Sequence, residues 1–379
     1  MLPLAGVKVV EFCQVLAGPY CGALLADLGA EVIKVEPPEG DMMRQWPPIT
    51  EGPEGAYSEN FASINRNKRS VVLDLKNPEH LATARRLVLS ADVLLENNRP
   101  GVMDRLGLGY DSFRDEKPGL VYCSISAFGQ TGPRARDGGF DVTVQAMSGV
   151  MSVTGEPDGP PVKSGVPVSD VGTGLYAALT IVSVLRQVAG GGPGAHIDAS
   201  MLGASLGMAA LQTSELFGSG RDPRRLGSAH PRNAPYQAFK ASDGFFVIAA
   251  GNNKLWQSVT EVVARPDLLA DQRFLTTQLR AQNQAALKEL LEIEFARHGV
   301  EHWIAAFEKA GVPYGRINSY SQILADPQVQ HMGWVEEMVL PSGVKTKTFG
   351  FPVKISGADL RKRREPPALG ADSDLMFRT

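Results

Sequence analysis

The sequence predicts an α/β protein whose large domain is a Rossmann-like, doubly wound parallel sheet, accompanied by a smaller α+β domain. Over the first two hundred residues, short β-rich runs alternate with stretches of helical periodicity, which is typical of such a sheet. After residue 217 a polar, basic, turn-rich stretch interrupts this alternation. We therefore expect the amino-terminal part of the large domain at 1–217, the small domain at 221–319, and a segment at 328–379 that returns to the large domain.

Five strands are expected in the first part of the chain, and three stretches between them show apolar residues spaced three to four apart. The five strands are Val7–Phe12, Glu31–Glu36, Arg69–Leu75, Val93–Asn97 and Leu120–Ser126. The segment "GVPVSD" predicts a further strand that ends at Asp170, and "GLYAALTIVSVLRQV" the helix after it. Glycines and a proline in Ala189–Met201 then predict a hinge or tight crossover.

The second part of the chain contains fewer and more scattered elements. "FFVIAAG" predicts a strand, and three amphipathic stretches between residues 253 and 311 predict helices. "WVEEMVL" and "VKTKTFGFPVKISG" predict two further strands.

The composition is that of an ordinary soluble globular protein. Hydrophobic residues make up 43% and charged residues 21% of 379 positions, and the net charge of -3 gives no support to broad binding of nucleic acid or membranes. Cys13, Cys21 and Cys123 show neither disulfide nor zinc-site spacing, so we expect a reducing, cytoplasmic location.

Two motifs suggest cofactors, and the residues around each argue against it. The turn after the first strand, "CQVLAGPY", has only Gly18 where a dinucleotide fingerprint needs three glycines. His298, Glu301 and His302 match a zinc pattern that requires one continuous helix, but Gly299 predicts that the helix ends between the histidines. We therefore expect no prosthetic group or metal.

Asp170 is the candidate catalytic residue, and its local sequence permits two interpretations. The stretch "VPVSDVGTGLYAAL" places a lone acid between an apolar segment and two glycines. The acid is either a helix N-cap or a nucleophilic carboxylate at the carboxyl end of a strand. Local sequence alone favours the cap, because capping aspartates are far commoner than catalytic ones.

Basic residues near expected strand and helix ends indicate a phosphorylated small ligand, since the chain as a whole is not basic. They include the tract "NRNKRS" and Arg44, Lys76, Arg99, Arg105, Arg134 and Arg136.

Several long segments together carry a family resemblance. "VVEFCQVLAGPYCGALLADLGAEVIKVEPPEGDMMR", "NRNKRSVVLDLKNPE", "ADVLLENNRPGVMDRLGLGY" and "SDVGTGLYAAL" occur in this order, and "HPRNAPYQAFKASDGFFVIAAGNNKLW" follows downstream. This pattern resembles the class III coenzyme A transferases, and within that family the succinyl-CoA–dicarboxylate transferases. The resemblance implies coenzyme A and acyl-CoA as substrates, a carboxylic acid as acceptor, and an interlocked homodimer.

By the same resemblance, Asp170 matches the nucleophilic aspartate that attacks the acyl-CoA thioester. Positions that match the binding loop and the nucleotide and pantetheine contacts are Gln14, Val15, Leu16, Ala17, Leu73, Lys76, Asn97, Asn98 and Arg105, and we add Arg136 as a further cation. Some of these residues have simpler roles available: Leu73 as core, Lys76 as a solvated strand end, Asn97 as a turn former.

The resemblance leaves substrate choice and two alternatives open. Oxalate-handling relatives carry glutamine where this chain has Leu16, which favours another dicarboxylate here, held at its far end by a cation such as Arg44 or Arg232. A racemase of the same superfamily would need a second base where this chain has Phe140, which cannot carry a proton. A non-catalytic acyl-CoA-binding protein on the same scaffold is the other alternative.

Overall fold

The computed structural model describes residues 1–376, which form two compact units. The larger unit comprises residues 1–150, 163–222 and the segment from 327 onward. The smaller unit comprises 151–162 and 223–326. The chain therefore leaves the larger unit twice and returns to it twice.

The strands of the described residues are β1 (Lys8–Phe12), β2 (Glu31–Glu36), β3 (Ile49–Gly52), β4 (Gly55–Ser58), β5 (Lys68–Val72), β6 (Val93–Glu96), β7 (Val121–Ser126), β8 (Ala195–Ser200), β9 (Tyr236–Lys240), β10 (Phe245–Ala249), β11 (Tyr314–Arg316), β12 (Val335–Val339) and β13 (Lys345–Phe349).

The helices are α1 (Ala17–Asp27), α2 (Glu59–Asn65), α3 (Pro78–Ser90), α4 (Val102–Arg105), α5 (Asp141–Met147), α6 (Val168–Ala189), α7 (Met201–Met208), α8 (Ala210–Ser219), α9 (Asn253–Val262), α10 (Thr277–Gln282), α11 (Gln284–Phe295), α12 (Val300–Ala310), α13 (Tyr320–Leu324) and α14 (Pro327–Met332).

The larger unit is built on a six-stranded sheet with the order β5-β2-β1-β6-β7-β8. All five strand pairs in it are parallel. The prediction of an α/β fold with a parallel sheet is confirmed. The chain builds outward from β1 in one direction and then from β6 in the other. The loops after β1 and β6 therefore meet at a topological switch point, where open α/β sheets form ligand sites.

Alternating residues of each strand bury the two faces of this sheet against helices. Val9 and Leu95 face one apolar cluster, which also contains Leu25 of α1 and Ile181 of α6. Val10 and Leu94 face the other, together with residues of α3 and the segment that follows α4. Because both faces are covered, the sequences of the strands are nearly continuous apolar runs.

Two sequence predictions around α6 are wrong. The segment predicted as a strand ending at Asp170 is the start of α6, whose N-cap position is Pro167. Gly172 and Gly174 continue this helix and do not form a bend. The sixth strand is instead β8, which lies inside the predicted glycine-rich hinge. Valine-rich runs fit either structure, and burial against neighbouring elements overrides their preference for strands.

Helix α6 is long and apolar enough to cross a membrane by length and composition, with 39% of its most apolar window buried. Residues of its buried face, among them Ala177 and Ile181, lie in the apolar core of the larger unit. Gly174 is so close to α1 that an added Cβ would lie 2.9 Å from the Ala17 carbonyl oxygen. This close packing accounts for the small and apolar residues on that face without a membrane.

The smaller unit is an antiparallel sheet packed against helices. Its strand order is β11-β10-β9, and Phe239, Phe246, Phe295 and Phe307 lie in its buried core. Helix α11 ends at Phe295, and Gly299 is the N-cap position of α12. The predicted break in the zinc-like motif is thus confirmed.

Candidate active site

The loops after β1 and β6 are joined across the switch point by a reciprocal pair of hydrogen bonds. The Gln14 N–H donates to Asn97 Oδ1 over 2.9 Å, and Asn97 Nδ2 donates to the Gln14 carbonyl over 2.8 Å. Asn97 is therefore more than a turn former, because its amide holds Gln14 in the loop that leads into α1.

A cavity of about 460 Å³ opens beside this junction. Five residues predicted from the sequence line it: Gln14, Leu73, Lys76, Asn98 and Arg105. Leu73 is only 1% exposed and belongs to the wall, whereas Lys76 and Arg105 are exposed. The cavity thus combines an apolar wall with two cations, and Glu36, Glu39 and Asp74 also line it. The apolar wall and the two cations suit a ligand with a ring system and phosphates.

Glu96 supports this cavity from the end of β6. Its Oε2 accepts a hydrogen bond from the Asn98 N–H over 2.8 Å, which fixes the backbone next to the cavity. Burial raises the pKa of Glu96 to about 7, against the opposing hydrogen bonds from Ser124 and Asn98. Glu96 was not predicted as a site residue, although an acid that ends an otherwise apolar strand is a usable signal.

Asp170 lies at the third position of α6, near the main-chain N–H of Ala17, the first residue of α1, which lowers its pKa. It is therefore neither the N-cap of α6 nor the end of a strand, so both local interpretations of its position are wrong. Since Gln14 lines the cavity and Ala17 lies near Asp170, residues Gln14–Ala17 run from one to the other.

The electrostatic surroundings of Asp170 favour the protonated form. Burial of this half-buried side chain is the largest cause, and the nearby carboxylate of Asp141 adds to it. Against these, the Ala17 N–H stabilises the ionised form, and the pKa of Asp170 is raised to about 7. A carboxylate with such a pKa is more basic than usual, and it becomes a stronger nucleophile once ionised.

Asp141 raises the pKa of Asp170 and also binds the start of α6. Its Oδ1 accepts a hydrogen bond from the Ser169 N–H over 3.0 Å, and its Oδ2 accepts one from Gln145 Nε2 over 2.6 Å. The two aspartates are thus held near each other by the junction of α5 and α6.

Glycines in α6 allow close contacts on both sides of Asp170. A Cβ at Gly172 would lie 2.5 Å from Met208 Sδ, and one at Gly174 would lie 2.9 Å from the Ala17 carbonyl oxygen. The second contact brings the amino terminus of α1 to Asp170. These glycines therefore serve helix packing.

Three predicted residues are not among the described residues that line this cavity. Arg136 is exposed in the segment between β7 and α5. Arg44 binds both carboxylate oxygens of Glu36 at 2.7 Å, so it is engaged and unsuited to hold a substrate carboxylate. Leu16 is half-buried and packs partly against an apolar cluster that includes Met43.

A model of CoA-transferase family III matches residues 4–373. This chain belongs to that family. A succinate–glutarate CoA-transferase from Agrobacterium fabrum is 41% identical over 97% of this chain and 93% of its own length. An acetyl-CoA:oxalate CoA-transferase from Acetobacter aceti is 40% identical over 94% of this chain and 90% of its own length.

A solved structure of a CAIB/BAIF family protein from Brucella suis is similar over almost the whole chain. Its TM-score is 0.89 with 40% sequence identity, and the match covers 99% of this chain and 98% of that one. The predicted resemblance to class III CoA-transferases is confirmed, and the protein is an enzyme of this kind. The cavity at the switch point and Asp170 can therefore be considered as parts of a CoA-transferase.

Proposed function

We propose that this CoA-transferase moves coenzyme A from succinyl-CoA to a dicarboxylate acceptor, with Asp170 as the nucleophile. The observation that carries the proposal is the close packing of the start of α6 on the start of α1, at the end of the loop that passes the cavity. A Cβ at Gly174 would lie 2.9 Å from the Ala17 carbonyl oxygen, and the Ala17 N–H lowers the pKa of Asp170. A ligand seated beside Gln14 would extend its reactive end along this loop towards Asp170, a carboxylate of raised pKa.

The reaction proceeds by exchange of acyl groups on Asp170. The Asp170 carboxylate attacks the thioester carbonyl, the C–S bond breaks, and CoA leaves as a thiolate. The thiolate then attacks the aspartyl carbonyl of the anhydride, which releases succinate and forms an aspartyl-CoA thioester. The acceptor carboxylate attacks that thioester, and the thiolate displaced attacks the acceptor's carbonyl, which frees Asp170.

The amino terminus of α1 assists these steps electrostatically. Helix N-termini carry partial positive charge and free N–H groups, which stabilise negative charge that develops nearby. The Ala17 N–H already serves the ground-state carboxylate of Asp170. The same end of α1 stabilises the oxyanion that forms when Asp170 attacks a carbonyl.

The cavity residues hold coenzyme A in this proposal. Arg105 and Lys76 bind phosphates, and Leu73 packs against the nucleotide or pantetheine. Gln14 and Asn98 offer polar groups to the pantetheine, Val15–Ala17 line the acyl end, and Asn97 fixes Gln14. Arg136 is a further cation for phosphate. The larger unit is the CoA-binding domain. The sequence assigns residues 1–217 and 328–379 to it and 221–319 to the small domain, and residues 151–162 and 320–326 also belong to the smaller unit.

The acceptor is proposed from the site, because sequence identity does not select it. Relatives named for glutarate and for oxalate are almost equally similar, at 41% and 40% identity. Leu16 offers no hydrogen bond to a second carbonyl next to the reacting carboxylate. A dicarboxylate of four to six carbons therefore fits this site better than oxalate.

We also propose a homodimer of interlocked chains in the cytoplasm. Several large apolar side chains of α6 and α8 are exposed in the larger unit, among them Leu179 at 65%, Leu211 at 63% and Phe217 at 83%. Apolar surface of this extent is typical of a protein interface. The three cysteines are buried free thiols, as expected in a reducing compartment.

The experiment that tests the proposed function is an assay of succinyl-CoA with a panel of carboxylates, read by mass spectrometry. We expect succinate and a new dicarboxyl-CoA. Exchange of the α-proton without transfer would indicate the racemase instead. Binding of acyl-CoA without turnover would indicate the non-catalytic binding protein.

A further inference from the structure

The loop between β1 and α1 contains an unfavourable backbone conformation. Val15 has φ of 67°, in the left-handed region that β-branched residues almost never adopt. Such conformations persist only where the surroundings impose them, and they concentrate at functional sites. Something in the structure must therefore hold Val15 in place.

Asp41 is the side chain that binds Val15. The Val15 N–H donates to both carboxylate oxygens of Asp41, over 3.1 Å and 3.2 Å. Asp41 is itself 1% exposed, and its Oδ1 also accepts a hydrogen bond from the Met43 N–H over 2.9 Å. A buried carboxylate with two backbone donors is a rigid acceptor.

Lys34 fixes Asp41 from behind and also binds the residue that begins the loop. Its Nζ lies 2.8 Å from Asp41 Oδ2 and donates to the Cys13 carbonyl over 2.6 Å. Glu11 lies 3.1 Å from the same Nζ and pairs with Lys68 over 2.9 Å. The four charged side chains of this network have 0% or 1% exposure.

Lys34 retains its charge on burial. Burial alone would lower the pKa of Lys34, but the carboxylates of Glu11 and Asp41 raise it above its usual range. Lys34 therefore stays protonated. It keeps its contacts with Asp41, which binds the Val15 N–H, and with the Cys13 carbonyl at the start of the loop.

The geometry points to Asp41, supported by Lys34, as a positioning residue for the reaction at Asp170. By holding Val15 in the left-handed conformation, Asp41 sets the direction in which Leu16 and Ala17 follow, and so aims the Ala17 N–H at the nucleophile. This inference rests on the proposed role of Asp170. The Asn97 amide holds the Gln14 end of the same loop.

The role can be separated from a general contribution to folding, because glycine adopts positive φ without steric cost. We would measure kcat, KM for succinyl-CoA and the pH profile of four proteins: wild type, Asp41→Ala, Val15→Gly and the double variant. Asp41→Ala should lower kcat by about 10- to 100-fold, the cost of a catalytic group displaced by about an ångström. In the Val15→Gly background, Asp41→Ala should lower kcat by about threefold or less.

The pH profile gives a second readout that a structural role would leave unchanged. The Ala17 N–H lowers the pKa of Asp170, so its displacement in Asp41→Ala should move the acidic limb of kcat/KM to higher pH, and Val15→Gly should reverse this. Asp27→Ala is the matched control, since Asp27 also belongs to a buried ion pair, with Arg66, in the larger unit. It should destabilise the fold with no rescue by Val15→Gly.

Equal losses of kcat from Asp41→Ala in both backgrounds would overturn the inference. If Asp41→Ala does not fold, Asp41→Asn can be compared in the same two backgrounds, with a smaller expected loss of kcat. Equal losses of kcat in both backgrounds would again overturn the inference. Failure of the proposed function shows separately, because Asp170→Asn would then retain transfer activity.

Discussion

Ionised Asp170 should destabilise the folded protein, so that Asp170→Asn is more stable than wild type at alkaline pH. The pKa of Asp170 is raised from 3.8 to about 7 in the folded chain. The folded state therefore binds this proton more tightly than the unfolded state does. Stability is highest while the group is protonated in both states, and it is lost as the pH rises from about 4 to about 7.

The size of the effect follows from linkage. Between pH 5 and pH 8 this group alone should lower the free energy of unfolding by about 2–3 kcal/mol. Because solvent reaches the half-buried side chain, we expect the lower end of this range, about 2 kcal/mol. Asparagine is neutral at every pH and keeps an oxygen for the Ala17 N–H. Its stability advantage over wild type should grow by that amount across the same interval.

Urea unfolding at pH 5 and pH 8 measures this difference. Asp115→Asn is the control, because the Asp115 side chain is 92% exposed and its neutralisation should give no comparable growth. A stability difference between Asp170→Asn and wild type that is the same at both pH values would refute the reasoning about burial.

Three further predictions concern activity. Asp141→Asn removes the like charge that raises the pKa of Asp170, so the acidic limb of kcat/KM should move to lower pH; an unchanged limb would contradict this. Arg105→Ala should raise KM for succinyl-CoA by about tenfold or more with kcat within about twofold, because a phosphate contact contributes to ground and transition states alike; an unchanged KM would exclude Arg105 from CoA binding. Leu16→Gln should improve kcat/KM for oxalate relative to glutarate by about tenfold, since it supplies a hydrogen-bond donor; equal use of both acids by the wild type would show that Leu16 does not select the acceptor.

The sheet could be predicted from the sequence because its strands are buried on both faces. Val7–Phe12 and Glu31–Glu36 stand out as short β-rich runs, and the structure confirms them as β1 and β2 with nearly the same bounds. The start of α6 could not be predicted in this way. Its valines suit a strand, and only its packing against α1 makes the helix the better structure.

The site could be predicted only in part. The loop residues and Asp170 were identified by resemblance, and in the structure the last of them, Ala17, lies near Asp170. Asp41 and Lys34 were not identified as site residues, because their function depends on a contact between separate elements. A signal did exist: Glu11 and Lys34 are opposite charges within two apolar strands, and they are direct partners in the register of β1 and β2.

The most direct test of the account is to trap the covalent intermediate. Wild-type enzyme would be incubated with succinyl-CoA, quenched with borohydride and digested, and the peptide containing Asp170 analysed by mass spectrometry. We predict that an aspartyl thioester at Asp170 is reduced to the corresponding alcohol, with no such change in enzyme treated with CoA alone. Rapid transfer to glutarate with Asp170 unmodified, together with normal turnover by Asp170→Asn, would contradict the account.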